Sequence, residues 1–425
     1  MKARFVSLGC KVNQYETQAL SSLFCQNGYQ LTEGSDADVA IINSCTVTSL
    51  ADRKTRQVVR RLRREMPNCV IALTGCMPQS SPEAAAELIE ADIITGTTDR
   101  LGILELVSAH LKTKQRNFAV TPFSGQEVFE PISADRFSDS FQRAYLKIED
   151  GCDRFCSYCV IPYARGKVRS RSLFGISSEV EKLVKAGYRE IVLTGINISR
   201  YGSDIGLTLK DAVAAAAAVE GDFRLRFGSV EPDLLTDEDW LALSKTDKLC
   251  PHFHLPVQSG CDVTLAAMNR RYNMAQFFET VGKIRRLFVN PSITADIIVG
   301  FPGESDEDFE ETCRNIERLG LLRAHIFEYS PRSGTPAAER KDQIDPQVKK
   351  LRSTRLEEIC RSSAEQFAAN QVGKKAKLLL EATGGGYTEN YLYVTVGDKK
   401  GHQPGEIVEV LLTRSEGAVC IGEII

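Results

Sequence analysis

Nothing in the 425 residues approaches the roughly 20 consecutive apolar residues that a membrane-spanning helix requires, so a helical membrane protein is excluded. The longest bland segment, Ala212 to Val219, predicts an alanine-rich helix far too short for that role. The N-terminal MKARFVSLGC has no long apolar core and no cleavage pattern, which argues against a signal peptide. These absences predict a soluble, cytoplasmic chain without a membrane partner. A strong excess of either charge sign is missing too. A formal net charge of −3 excludes a diffusely basic nucleic-acid binder. Thirteen cysteines, an odd number without an export signal, argue against a disulfide framework and for metal or redox chemistry. Seven of them (Cys25, Cys69, Cys250, Cys261, Cys313, Cys360 and Cys420) lack a partner at ligand spacing and are expected to be small packing residues.

With 43% hydrophobic and 26% charged residues, the chain has ample material for two or three domains. Its first section alternates strand and helix. Strands are predicted at Arg4–Leu8, Val39–Asn43, Val70–Thr74 and Ile93–Thr95. Asn13, with Glu16 three residues on, is expected to cap the first helix. Strands separated by helices imply a doubly wound parallel α/β sheet over residues 1–112. A polar linker is expected over 113–140. Six further strand–helix units over 141–370 suggest a curved, partial (β/α)6 barrel of TIM-like type. Residues 371–425 contain four strand-like runs and no helix pattern, which predicts a small all-β barrel of a size often used for oligonucleotide binding. A purely structural cap is the alternative for that tail.

The stretch GCDRFCSYCVIPYARG carries Cys152, Cys156 and Cys159 at C-x3-C-x2-C spacing and no histidine. It follows the first strand of the second section, where ligands of parallel strand–helix folds collect. A structural zinc site needs four ligands, and no fourth Cys or His lies nearby. Iron–sulfur cubes take one thiolate per iron, so three cysteines leave one iron open to an exogenous ligand. A zinc site drawing a distant fourth ligand is the alternative. Cys10, Cys45 and Cys76 form a second candidate set, each just beyond a predicted parallel strand in VSLGC, IINSC and IALTGC. Neighbouring strands of a parallel sheet end on one edge, so these three thiols are expected to converge on another three-thiolate site. Otherwise they are three unrelated strand-end cysteines.

Positive charge is clustered. Arg53, Lys54, Arg56, Arg60, Arg61, Arg63 and Arg64 lie on one predicted helix, and Arg165, Lys167, Arg169 and Arg171 follow the cysteine stretch. Such clusters fit a phosphate-contacting face, or for the helix simply a solvated one.

The cysteine spacing with an aromatic, Tyr158, before its last member resembles the radical S-adenosylmethionine superfamily. LGCKVNQYET, CDRFCSYCVIPYARGKVRSR, LTGIN, HLPVQSGCD, DIIVGFPGESDEDF and YSPRSGTPA are together similar to the methylthiotransferases along essentially the whole chain. The tail is similar to a TRAM domain. KVNQYET and IPYARGKVRSR most resemble the branch acting on N6-threonylcarbamoyladenosine next to the tRNA anticodon, at position 37. Sister branches act on isopentenyladenosine in tRNA or on a ribosomal-protein aspartate. A non-catalytic iron–sulfur RNA-binding protein is the reading from a different class.

The resemblance implies two 4Fe–4S clusters, on Cys152/Cys156/Cys159 and on Cys10/Cys45/Cys76, with both open irons facing one chamber. The first would bind S-adenosylmethionine and split it to a radical, and the second would carry the sulfur to be installed. It also implies that Tyr158, Thr194, Gly195, Gln258 and Gly300 contact S-adenosylmethionine. An electron donor such as a flavodoxin or ferredoxin and the tRNA anticodon stem-loop are the implied partners. Arg53, Arg56, Arg60, Arg165, Arg169, Lys374, Lys375 and Lys377 are expected to contact RNA, with Arg165 or Arg169 meeting the carboxylate of the modified base.

Overall fold

In the computed structural model, which describes residues 1–134 and 142–425, the first section is a six-stranded parallel sheet. Its strands are β1 (Lys2–Ser7), β2 (Gln30–Leu31), β3 (Val39–Ser44), β4 (Val70–Gly75), β5 (Ile93–Thr95) and β6 (Asn117–Ala119), in the order β2-β1-β3-β4-β5-β6. β3 and β4 are wholly buried, which is why VAII and VIAL read as unbroken apolar runs. Two short strands were not foreseen. β6 falls inside the expected linker, so that boundary is corrected: the sheet reaches Ala119, and Ile132 and Ala134 are already part of the next core. The remainder of the predicted linker, 135–141, lies outside the described residues.

The capping role expected of Asn13 and Glu16 is also corrected. The helix Lys11–Gln26 begins after Cys10 with no side-chain cap, and both residues lie one turn inside it, buried. Their polar groups serve the domain interface instead. Asn13 Nδ2 donates to the carbonyls of Leu8 and Ser44, at 2.9 and 2.8 Å.

The second section is built from β7 (Ala144–Lys147), the short antiparallel pair β8 (Glu149–Asp150) and β9 (Arg169–Ser170), then β10 (Glu190–Thr194), β11 (Arg224–Phe227), β12 (His252–His254), β13 (Ser292–Val299) and β14 (Arg323–Glu328). β7-β10-β11 and β12-β13-β14 are two parallel ribbons joined through the bridge Leu225–Leu249, giving the expected open, six-stranded partial barrel. Helices cover its outside. The helix Asp306–Leu319 shows how: Ser305 and Asp308 close a capping box, and Phe309, Cys313, Ile316 and Leu319 are buried on one stripe.

The tail is a closed barrel of five strands, not the four expected: β15 (Lys375–Leu380), β16 (Gly385–Thr388), β17 (Tyr393–Val396), β18 (Ile407–Glu416) and β19 (Val419–Ile424). β16 escaped notice because two glycines erase its alternation. Gly386 is required there, since a Cβ would lie 1.8 Å from the Leu379 carbonyl oxygen. The barrel docks on the N-terminal ends of the parallel strands. Arg224 donates to the carbonyls of Lys377 and Tyr387, and Arg226 to those of Thr388 and Glu389. Glu190, fully buried, holds Arg143, Arg224 and Arg226 in place beneath that seam.

Candidate active site

β1, β3 and β4 end in register, with Ser7 beside Asn43 and Ser44 beside Gly75. Cys10, Cys45 and Cys76 therefore leave the same edge of the sheet. Gly9, at φ +117°, lets two loops close up, because a Cβ there would lie 2.6 Å from Cys45 Cβ. The three thiols lie within electrostatic reach of one another. Cys152, Cys156 and Cys159 occupy the loop after β8, where Cys159 N–H closes a turn on the Cys156 carbonyl at 3.0 Å. Phe155 is held at φ +48° in this loop, its carbonyl accepting from Asn269 Nδ2. Cys152, Cys156 and Cys159 also influence one another electrostatically.

Among the described residues, no three His, Cys, Asp or Glu side chains stand close enough to share a single metal ion. A cube asks for a different arrangement, with each thiolate on its own iron at a separate corner. The donor chemistry fits that demand. Five sulfurs accept an N–H: Cys45 from Val47, Cys76 from Arg165 Nε at 3.1 Å, Cys152 from Asn197, Cys156 from Arg270 and Cys159 from Ile161. Burial pushes the Cys76 and Cys159 thiols up to about 12 and Cys152 up to about 11. Burial thus keeps these thiols protonated by themselves, and the N–H donors that face them would meet the charge on sulfur once iron displaced the proton.

Inside the partial barrel lies a chamber of about 520 Å³ to which all three sections contribute. Cys10 and Lys11 enter from the N-terminal sheet, Thr194 and Gly195 from the C-terminal end of β10, and Tyr391 from the tail. Cys152 opens instead on a separate groove with Phe155 and Tyr163. Asn197 stands 3.9 Å from Cys152 Sγ and donates its backbone N–H to Glu149 at 2.7 Å.

Residues 2–96 match the family described as "Uncharacterized protein family UPF0004", and residues 146–316 match the "Radical SAM superfamily". A protein of Bacillus subtilis (strain 168) named threonylcarbamoyladenosine tRNA methylthiotransferase MtaB is 38% identical over 97% of this chain and 93% of its own length. A tRNA-2-methylthio-N(6)-dimethylallyladenosine synthase of Clostridium botulinum (strain Hall) is 35% identical over 98% of this chain and 95% of its own. The chain belongs to the tRNA methylthiotransferase family. A radical S-adenosylmethionine methyltransferase of Kitasatospora setae, TsrM, shares the fold, with a TM-score of 0.61 at 14% identity over 79% of this chain and 77% of its own.

In this member of the methylthiotransferase family, the residues between the two cysteine sets form a buried charge network that the motifs did not announce. Arg165 is wholly buried; it pairs with Glu16, donates to Asn13 Oδ1 at 2.8 Å and reaches Asp150 at 3.4 Å. Glu16 also pairs with Arg100 at 3.0 Å and with Lys147 at 2.7 Å. Burial alone would raise the Glu16 pKa, but Arg100, Arg165 and Lys147 overcome it and hold the carboxyl well below the usual range. Arg169 pairs with Asp150, and Arg171 with Glu179 and Tyr15. The expectation that Arg165 and Arg169 meet RNA is therefore corrected: both are buried and already paired with carboxylates, leaving no surface for a phosphate or for the base's carboxylate. One sequence signal was present. Charged residues inside a strand pattern, Lys147 and Asp150, mark an interior that must be paired.

The other expected contacts fall as follows. Tyr158 packs edge-on against Phe301 beneath the cluster loop, with its ring centre 6.5 Å away. Gln258, at φ +66°, joins β13 through Asp296 and Ile298 and does not line the chamber. Gly300 is a turn against the helix Pro346–Ala369, where a Cβ would meet Lys349 Cγ at 2.4 Å. Arg53 and Arg60 are exposed on the helix Ser49–Glu65 and Arg56 is half-buried; Arg63 is drawn into a structural role with Asp92. Lys374, Lys375 and Lys377 are exposed, Lys375 lying 3.8 Å from Glu409. Cys25 is exposed, not packed, and the other six surplus cysteines are buried. No helix among the described residues is long and apolar enough to cross a membrane.

Proposed function

We propose that the chain is a tRNA methylthiotransferase converting N6-threonylcarbamoyladenosine at position 37, beside the anticodon, into its 2-methylthio derivative with two 4Fe–4S clusters and S-adenosylmethionine. The observation that carries this reading is a pair of three-cysteine sets, each one ligand short of a full cube, in a chain aligned along 97% of its length with a relative named for that reaction. When bound, the clusters and S-adenosylmethionine supply the one-electron chemistry and the sulfur that an unactivated adenine carbon requires.

The protein's own residues bind, orient and seal. Cys152, Cys156 and Cys159 would hold one cluster and Cys10, Cys45 and Cys76 the other. Among the described residues Glu149 Oε1 and Asn197 Oδ1 are buried without a hydrogen-bond partner, and they suit the amino group of S-adenosylmethionine together with Thr194 and Gly195. Burial raises the Glu149 carboxyl well above the usual carboxylate range, so it holds its proton until a cation arrives. A one-electron donor of the flavodoxin or ferredoxin type is the expected reductant. An unstacked anticodon-loop base enters the chamber, and exposed cations of the helix Ser49–Glu65 and the tail hold its phosphates.

Mass spectrometry of tRNA nucleosides from cells with and without the gene tests the reading. Loss of 2-methylthio-N6-threonylcarbamoyladenosine is the expected result. Loss of the isopentenyl counterpart, or unchanged tRNA with an altered ribosomal aspartate, would overturn it.

A further inference from the structure

The chamber's charges do not balance. Four strong cations line it: Lys11, Arg143, Arg226 and Arg323. Two of them are already neutralised, since Arg143 and Arg226 each stand 2.9 Å from Glu190, and Arg143 also reaches Glu381 at 2.7 Å. The carboxylate in the chamber wall, Asp296, stands 3.3 Å from His254. Lys11 and Arg323 pair with no carboxylate among the described residues. The Arg323 guanidinium instead lies 6.0 Å from the ring centres of Tyr387 and Tyr391.

These two cations come from different domains and aim at the same space. Lys11 follows Cys10 where the N-terminal sheet opens into the chamber. Arg323 and His325 share one face of β14, paired with Thr294 and Asp296 of β13, and all four line the chamber. His325 lies within electrostatic reach of both Lys11 and Arg323. Asp296 and Glu190 reach Lys11 only at longer range, so a chamber wall with two cations lacking a direct carboxylate partner favours a ligand that brings a negative charge, held by charge-assisted hydrogen bonds.

We propose that Lys11 and Arg323 form a carboxylate site and that it receives the threonyl carboxylate of the substrate base. This rests on the proposed substrate, and it names what tells that base from an isopentenyl one: one carries a carboxylate at the end of its N6 substituent, the other only hydrocarbon. A hydrocarbon tail filling the chamber would strip water from exposed Arg323 and from Lys11 without supplying a countercharge, a penalty that acts as selection against it. The second carboxylate available to the chamber is that of S-adenosylmethionine, and the test separates the two.

The test uses full-length, cluster-reconstituted protein and anticodon stem-loop RNAs carrying threonylcarbamoyladenosine, isopentenyladenosine or plain adenosine, with dissociation constants measured anaerobically by fluorescence anisotropy. In K11Q and R323Q the dissociation constant for the threonylcarbamoyl RNA should rise about 10- to 100-fold, the worth of one charged hydrogen bond. The other two RNAs should change by less than about threefold, K11R should retain most of the preference, and S-adenosylmethionine affinity should hold. Iron content and thermal unfolding are read on the same samples, and R323Q, remote in sequence from the cysteines, guards against cluster loss in K11Q. Equal weakening for all three RNAs, or no weakening, overturns the carboxylate site. Lost S-adenosylmethionine affinity assigns the site to the cosubstrate and also overturns it. A wild-type protein without preference for the threonylcarbamoyl RNA overturns the functional reading itself, whereas preference that survives in both variants sinks only this inference.

Discussion

Arg165 Nε donates to Cys76 Sγ at 3.1 Å, and through that contact one buried guanidinium joins the two cysteine sets. The same side chain reaches Asp150, two residues before Cys152. Its partners Asn13 and Glu16 belong to the helix that starts at Cys10. This cation works with Lys147 on Glu16 and Arg171 on Tyr15 to hold the N-terminal sheet against the partial barrel, at the point where chemistry on one must meet chemistry on the other.

Replacing Arg165 by methionine should cost about 3–5 kcal/mol of stability, because Glu16 and Asp150 lose a buried countercharge while Arg100 and Lys147 remain. Lysine should recover little, since a point charge cannot serve Cys76, Asn13 and Glu16 from one planar fork. Urea denaturation of the reconstituted protein measures both. Equal stability of all three proteins would show that the network is dispensable.

Reconstituted protein should bind about eight irons per chain, two cubes of four. Replacing Cys152, Cys156 and Cys159 by alanine should leave about four and abolish cleavage of S-adenosylmethionine. Replacing Cys10, Cys45 and Cys76 should also leave about four, yet spare that cleavage while ending methylthiolation. Iron assay with product analysis decides, and a second triple variant that still modifies RNA breaks the assignment.

Much of this was legible because strand-end position in a parallel sheet is a topological fact. Cys10, Cys45 and Cys76 could be brought together from hydrophobic periodicity alone. Lys147 hinted at a paired interior, but its partners were not legible, since Glu16 and Arg165 are 149 residues apart and nothing local distinguishes a buried guanidinium from a solvated one. Arg165 and Arg169 were accordingly expected at the RNA surface, where local charge density alone would place them. Asn13 and Glu16 show the same limit: their spacing suits a capping box, but tertiary partners claimed both side chains. Gly300 sits at a positive φ that the fold explains without a ligand, whereas the positive φ of Gln258 disfavours a side chain and does not account for the glutamine.

Acid should destabilise the protein in two steps. His252 is buried against Tyr391, and burial, with Arg226 and His254 nearby, lowers its pKa well below the usual value. A base whose folded pKa is depressed adds stability that fades as pH falls through its unfolded pKa, about 6.5. Glu16 and Asp150 are held below the usual carboxylate range, so their contribution is full above about pH 4 and is lost as pH falls further. Glu149 acts with the opposite sign, its raised pKa favouring the fold at low pH. Stability of the cluster-free protein against pH should fall first near 6 and again below 4, and H252F should shrink the upper step, leaving the part that belongs to His325, whose pKa burial also lowers, and sparing the lower one.

Tyr391 stacks on His252 with ring centres 4.3 Å apart and lies under the Arg226 guanidinium at 4.9 Å. It plugs the floor of the chamber from the tail. Tyr391 is half-buried, so its replacement by alanine should cost about 2–3 kcal/mol, below the toll for a fully buried aromatic, and should loosen the tail. Limited proteolysis should then release a fragment near residue 370, while Y391F remains intact.

The helix Ser49–Glu65 offers the sharpest separation between binding and folding, because its arginines divide by what they touch. Arg63 pairs with Asp92 and donates to the carbonyls of Pro67, Cys69 and Glu90, so R63A should lower stability and leave the salt dependence of RNA binding alone. Arg53 has no such partner among the described residues, and exposed Arg60 holds Glu90 only at 3.4 Å. R53E/R60E should therefore weaken tRNA binding uniformly across sequences and reduce the slope of log affinity against log salt by about two, one for each lost phosphate contact. Melting temperature should stay within about 1 °C, because exposed pairs contribute little. An unchanged salt slope in that variant would mean this helix presents a merely solvated face, and the phosphate contacts would then have to come from Lys374, Lys375 and Lys377 on the tail.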